Sequence, residues 1–270
     1  MVTIKKDIAE TRKPNIALNW STKIFKQTIV LIILMAVWEI APRAGLVDRT
    51  FFPPFSEVVT AWWHMIVSGE LWNHFSASIV RSALGFAIAI IIGVPLGLLI
   101  GWYPIARELL NPVLELFRST AALALLPVFI LLLGIGEVSK VSIIIFACVW
   151  PILLNTINAV KEVDPLFIKS AKSMNLSDAQ LFRKVILPAS VPTIFTGIRM
   201  AGTGAILVLI AAEMIGAKAG LGYLITFTQY NFQIPEMYAG ILTISILGIV
   251  INQLLLTAER RLSKWKQPVK

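Results

Sequence analysis

Long apolar runs separated by short polar, basic segments dominate this chain. Charge-free runs occupy Ser82–Ala106, Val141–Val160 and Met237–Ala258, and Ser119–Gly136 also lacks charge. A helix crosses the hydrocarbon core with about 20 mainly apolar residues, so each run reads as a spanning helix. The Ser119–Gly136 run extends backward through Arg118 to Pro112, which gives a long third segment. A fifth segment, from about Val191 to Ile215, carries Arg199 and Glu213 inside it. The first and weakest, from about Ile24 to Ala41, is bounded by Lys26 and Glu39, whose long side chains reach the interface by snorkelling. The pattern predicts an all-α polytopic membrane protein with six transmembrane helices, at about 24–41, 82–103, 112–134, 138–160, 191–215 and 237–258.

Finer patterning fills in the rest. The stretch from Pro42 to Arg81 is too polar to span. Within it Ser56 is the expected cap of an amphipathic helix, along which Val58, Val59, Trp62, Trp63, Ile66 and Val67 recur at helical spacing. Such a helix lies at a membrane surface with its tryptophans at headgroup depth. Gly85, Ala89, Gly93, Gly97 and Gly101 recur every four residues in the second segment. A small-residue stripe of this kind lets another helix approach closely, so it argues packing. Pro95, Pro127 and Pro151 fall inside segments two, three and four, where each favours a kink.

Composition supports lipid as the solvent. The chain is 57% hydrophobic and 14% charged, with mean hydropathy +0.80, whereas soluble domains carry roughly 25% charged residues. The net charge of +9 would suit nucleic acid, but the arrangement fits the positive-inside rule better. With both ends cytoplasmic, the inner pieces hold most of the basic residues, among them Lys5, Lys161, Lys169, Arg183 and Arg260. The outer pieces hold only Arg43, Arg49, Arg81, Lys140 and Lys218. This predicts cytoplasmic tails at 1–23 and 259–270. No cleavable signal peptide is expected, because the first apolar run follows a polar tail and ends at Trp38, Glu39 and Ile40 without a small-residue cleavage site. Cys148 is the sole cysteine and His64 and His74 the only histidines, too few for disulfide or zinc chemistry.

The loop at 161–190 is the most informative stretch. Asp164 before Pro165 reads as an N-cap followed by a first-turn proline. Asn175 suits the left-handed residue that closes a helix. Ser177 with Gln180 three residues on forms a capping box, and Pro188 is expected to stop the second helix. Two short helices joined by a tight bend follow. They could be a surface loop tucked against the bundle or an element that docks into a groove on a partner.

The spacing of this loop resembles that of ATP-binding-cassette (ABC) importer permeases: Glu-Ala-Ala, three residues, Gly, nine residues, then Ile-x-Leu-Pro. Here the positions are Lys169, Ser170 and Ala171, then Asn175, then Val185, Ile186, Leu187 and Pro188. Lys169, Ser170 and Asn175 depart from the family identities. The likeness extends over Leu71–Gly101, Pro112–Gly136, Gly197–Gly222 and Glu259–Leu262. These stretches resemble the subfamily that imports aliphatic sulfonates, taurine, nitrate or bicarbonate. The resemblance implies a type I ABC importer-like fold with a periplasmic amphipathic helix and a cytoplasmic coupling helix. It implies ATPase docking through Lys169, Ser170, Ala171, Asn175, Ser177, Asp178, Leu181, Phe182, Arg183, Leu187 and Pro188. The implied partners are two copies of an ABC ATPase, a periplasmic or lipid-anchored solute-binding protein and a second copy of this chain. ATP and Mg would be bound by the ATPase, since this chain has no Gly-x-x-x-x-Gly-Lys-Ser/Thr motif.

Charges inside the predicted spans admit two readings. Arg118 and Arg199 fall roughly 10 Å inside the inner ends of their helices at 1.5 Å per residue, where an arginine must snorkel, pair or face water. They either reach the headgroups or line a path that favours an anion. Glu213 would repel an anion, so a structural or gating role paired with an arginine or backbone donor is expected. Gly216–Gly222 reads either as a plain turn or, by resemblance, as a contact for substrate or binding protein. Three alternatives remain: a permease for a neutral or cationic heterocycle such as a thiamine precursor, a secondary transporter, for which no internal repeat is found, and an intramembrane enzyme, for which no acid and histidine cluster is found in the spans.

Overall fold

The computed structural model describes residues 16–262, which fall into two units divided at Val58. Most of the two expected tails, residues 1–15 and 263–270, lies outside the described residues. In the first unit, α1 (Ile16–Arg43) runs for 28 residues. The chain after it folds back on its C-terminal end. Trp38 Nε1 donates to the Pro53 carbonyl at 3.1 Å, and its ring packs on Phe52 and Phe55. The next helix, α2 (Phe55–Val67), begins before Ser56, so Ser56 is not its cap. Instead the Ser56 amide and hydroxyl both donate to the Glu39 carboxylate, at 2.9 and 3.0 Å. The described apolar side chains of α1 from Val30 to Val37 are mostly exposed.

In the second unit three long helices make the core: α3 (Glu70–Trp102), α6 (Glu137–Lys161) and α9 (Leu187–Met214). The small-residue stripe of α3 lies on α6. A Cβ added at Gly85, Gly93, Gly97 or Gly101 would meet Ile144, Ile152, Thr156 or Val160 at 3.0 Å or less. The offset between partners is the same at all four, so α3 and α6 run parallel and in register. On another face of α6, Gly197 of α9 sits against Asn155 and the Pro151 carbonyl. Ala89, Ile143, Ile144, Cys148, Ile152, Ala201, Ala205 and Leu209 fill the space between the three helices. Of the two neighbouring tryptophans in α2, Trp63 is exposed. Trp62 is instead tied to α11 (Ile234–Leu262) by a 3.0 Å hydrogen bond to Thr243 Oγ1.

The third predicted span is not one straight helix. It divides into α4 (Pro104–Ser119), a 3₁₀ turn (Ala122–Leu125) and α5 (Leu126–Leu133), with a bend of 86°. Local chemistry explains the break. The Ser119 and Thr120 hydroxyls both donate to the Leu116 carbonyl at 2.9 Å, drawing on an acceptor that the helix would use. Pro127 has no N–H and starts α5 instead of kinking it. Among the described residues four helices are long and apolar enough to cross a membrane, five if this bent pair is one span. The expected count is six; α1, the weakest of the expected segments, is not among these candidates.

Pro188 also differs from expectation, since it does not stop a helix. α7 (Pro165–Ser173) is followed by α8 (Asp178–Leu181), a π-helical turn (Phe182–Ile186) and α9 without a break, so one apolar helix extends over Asp178–Met214. A proline inside an α-helix clashes with the carbonyl four residues earlier and supplies no donor. The wider π turn just ahead of Pro188 displaces that carbonyl, which is why the helix continues. Finally, α10 (Leu221–Tyr230) and α11 (Ile234–Leu262) close the unit.

Candidate functional sites

The first candidate is the elbow of α7 and α8. The Leu166 amide donates to Asp164 Oδ1 at 2.8 Å, and Pro165 opens α7. Asn175 takes φ 55° and closes the bend. Ser177 and Gln180 then cap each other, with the Ser177 amide on Gln180 Oε1 at 3.1 Å and the Gln180 amide on Ser177 Oγ at 3.4 Å. Every device legible in the sequence is therefore in place at this bend. The exposed face is not the one expected. Leu181 is only 3% exposed, and Phe182 packs edge-on against Trp102 of α3 at 5.3 Å. Together with Ala171 and Ile186 they form a small core that seats the elbow on the bundle. The outward apolar side chains belong to α7 and the bend: Leu166, Phe167 and Met174. Lys169, Ser170, Asn175, Ser177, Asp178, Arg183 and Pro188 are exposed around them, with Leu187 partly covered.

The second candidate lies at the opposite end of α9, about 40 Å away at 1.5 Å per residue. Glu213 is fully buried there. It accepts from Ser78 Oγ at 2.8 Å, from Arg81 Nη1 at 2.7 Å and from the Gly222 amide at 3.0 Å. Arg81 also pairs with Glu137 at the start of α6, through Nη2 to Oε1 at 2.7 Å and through Nε, and donates to the Ala219 carbonyl at 2.6 Å. The Leu221 amide donates to Ser78 Oγ at 2.8 Å, and buried Lys140 donates to the Gly136 carbonyl at 3.1 Å. The network thus joins α3, α6 and α9 to the Gly216–Gly222 loop. That loop follows Glu213 so closely that a Cβ at Gly220, which has φ 127°, would lie 2.3 Å from Glu213 Cδ.

The two interior arginines part company. Arg118, in the last turn of α4, pairs with Glu115 at 2.6 Å and stays largely exposed. It lines two cavities. One, of about 650 Å³, also carries Arg107, Glu108, Glu115 and Lys161. The other, of about 520 Å³, lies against α6 and α9. Arg199 lines neither. It forms an ion pair with Glu259 of α11 at 2.8 Å, and Thr196 donates to the other Glu259 oxygen at 2.9 Å. Of the two arginines, Arg118 thus lines these cavities and Arg199 is tied to α11.

With this geometry in place, the model of one protein family, described as binding-protein-dependent transport system inner membrane component, matches residues 93–266. The chain belongs to that family. It is the permease component of an ABC importer. One relative is the putative aliphatic sulfonates transport permease protein SsuC of Bacillus subtilis (strain 168), 34% identical over 87% of this chain and 85% of that protein. Another is the taurine transport system permease protein TauC of Escherichia coli (strain K12), 32% identical over 92% of this chain and 94% of its own length. Among solved structures, the inward-facing MetNI methionine ABC transporter aligns with TM-score 0.61 over 69% of this chain and 93% of that one, at 19% identity. At that identity the likeness establishes the type I importer fold.

Sequence reasoning about this permease anticipated that Glu213 would be paired but missed its partners. Arg81 and Lys140 were counted only as charges of outer loops, yet both are buried. A signal was available: Arg81, Glu137, Lys140 and Glu213 all border apolar spans at the same end of the bundle, two of each sign.

Proposed function

We propose that this permease works as a pair of copies with two ATPase subunits and a solute-binding protein, and moves a small anion inward. An aliphatic sulfonate such as taurine is the first expectation, nitrate or bicarbonate the next. The observation that carries the substrate class is the extensive likeness to permeases named for aliphatic sulfonates and taurine. In this reading the capped elbow faces the cytoplasm, both ends of the chain lie inside, and the Gly216–Gly222 end faces the binding protein. The ATPase groove receives α7 through Leu166, Phe167 and Met174, an apolar patch rimmed by Lys169 and Lys172. ATP and Mg bind to the ATPase. Closure of the ATPase pair moves both elbows, and the continuous helix from Asp178 to Met214 carries that motion to the buried network at its far end.

The test is uptake by cells expressing the complete system, comparing labelled taurine, nitrate and an uncharged thiamine-precursor pyrimidine. Saturable, ATP-dependent uptake of taurine or nitrate is expected. Uptake of the pyrimidine alone would sink the anion reading.

A further inference from the structure

The cavity of about 520 Å³ between α4, α6 and α9 has a composition that the packing of the fold does not require. Its size is within the ordinary range for small-molecule sites, roughly 300–1,000 Å³. One end holds Arg118, Asn155 and Asn158. The Asn155 amide nitrogen is held by the Pro151 carbonyl at 2.8 Å, whereas Asn158 is exposed. The wall is aromatic. Phe117 stacks on Trp150 with ring centroids 4.8 Å apart and planes 5° apart, and Phe146 meets Trp150 edge-on at 5.7 Å. Trp150 Nε1 is buried and has no acceptor among the described residues. A buried indole N–H without a partner is costly unless something else supplies the acceptor. On the α9 side Gly204 opens the space, because a Cβ there would meet nothing within 4 Å. Most helix-facing glycines of this bundle are pressed against a neighbour, so Gly204 leaves room where the others remove it.

This cavity and the 650 Å³ one share Arg118, Leu154 and Asn158. The shared residues join the aromatic chamber to a polar vestibule that contains Arg107 and Lys161 beside Glu108 and Glu115. Arg118 is the only charged residue lining the chamber itself.

We propose that this chamber is a passage site for an anion with an apolar body, whose charged group rests at Arg118 and Asn158 and whose body lies against the Phe146 and Trp150 rings over Gly204. The inference rests on the anion reading of the permease and goes beyond it by assigning the site and favouring an organic anion over an inorganic one. The aromatic wall offers nitrate or bicarbonate nothing, whereas it shields the carbon chain of an alkanesulfonate from water. Arg118 keeps its Glu115 partner, so the anion is held weakly enough to leave, as a passage site requires.

The test uses the complete transporter reconstituted with its ATPase and binding protein in proteoliposomes. Gly204→Phe adds a ring at a position that lines the chamber and where the first added atom meets nothing within 4 Å. Uptake of labelled propanesulfonate should fall at least about tenfold, the effect of a barrier raised by roughly 1.4 kcal/mol, while the ATPase stays bound. A second variant guards against failed assembly. Cys148, the only native cysteine of the permease, is buried, so Gly204→Cys supplies the one accessible thiol of the permease chain, whose labelling is read on the permease band. Modification of this thiol by the sulfonatoethyl methanethiosulfonate reagent should outpace that by the trimethylammonioethyl reagent by about tenfold after normalisation to free cysteine, as expected for one nearby unit charge at intermediate dielectric. Propanesulfonate should slow the reaction and nitrate should not. Wild-type propanesulfonate uptake together with unchanged uptake in Gly204→Phe, or with no anionic preference at Gly204→Cys, would overturn the chamber and leave the anion reading intact. Failure of the wild-type transporter to take up any anion would overturn both.

Discussion

At the scale of single residues, two kinds of close contact set what the bundle tolerates. A Cβ at Gly97 would stand 2.6 Å from Thr156 Cβ and 2.9 Å from the Leu153 carbonyl, and neither is the flexible end of a side chain. Gly97→Leu should therefore destabilise the permease by about 1–3 kcal/mol or more, read as a lower thermal midpoint of the detergent-solubilised protein. Gly248→Leu, where the added atom meets nothing within 4 Å, should leave that midpoint unchanged. Equal behaviour of the two would mean that α3 and α6 do not pack through the stripe. The Arg81 and Glu213 pair works through charge. Its side chains are 7% and 0% exposed, and removing one member of such a pair costs about 3–5 kcal/mol because the other is left buried and uncompensated. Arg81→Met, which takes from buried Glu213 its paired cation, should thus be more damaging than the double change Arg81→Met with Glu213→Leu. A double variant as unstable as the sum of the singles would show that the pair is not coupled.

At the scale of elements, the elbow separates an exposed apolar face, the proposed docking surface, from its foundation. Phe167 is 57% exposed, so Phe167→Asp should leave the permease folded. It should still abolish recovery of the ATPase in pull-down, since an unpaired charge in an apolar groove costs several kcal/mol. Phe182→Asp should instead lower the yield of folded permease, because Phe182 packs on Trp102. If Phe182→Asp folds normally and loses only the ATPase, the docking face is α8 and not α7. The bend between them depends on the left-handed backbone at Asn175. Asn175→Gly should be tolerated, whereas Asn175→Val forces a β-branched residue to positive φ at a cost of about 1–2 kcal/mol, with weaker ATPase binding as the readout.

At the scale of the whole molecule, the elbow and the buried network sit at the two ends of one continuous helix, Asp178–Met214. In the proposed orientation that helix would connect the side where energy enters to the side where solute arrives. The orientation has a direct check. In intact cells or spheroplasts a membrane-impermeant thiol reagent should label Lys218→Cys, and it should reach Lys169→Cys only after the membrane is opened. The reverse pattern would invert the assignment of the two ends.

The sequence alone determined whatever depends on short-range chemistry or on solvent preference. The apolar runs located the long apolar helices α3, α6, α9 and α11, because lipid rewards uninterrupted apolar length. The Asp164, Asn175, Ser177 and Gln180 devices appeared in the elbow as read because caps and left-handed turns involve residues within a few positions of one another. The spacing from Lys169 to Pro188 carried the family for the same reason. What escaped the sequence depended on atoms distant along the chain. Whether Pro188 ends a helix was decided by a π turn ahead of it, and whether Leu181 faces a partner was decided by the core it shares with α3 and α6. Arg118 and Arg199 looked equivalent by depth, but Glu115 lies one turn from the first and Glu259 on another helix from the second. The partners of Glu213 come from α3 and from a loop that turns back over it. Hydropathy gives a buried arginine and an exposed one the same value, so only the tertiary structure could show that Arg81 lies inside the bundle, where charge must be matched by charge.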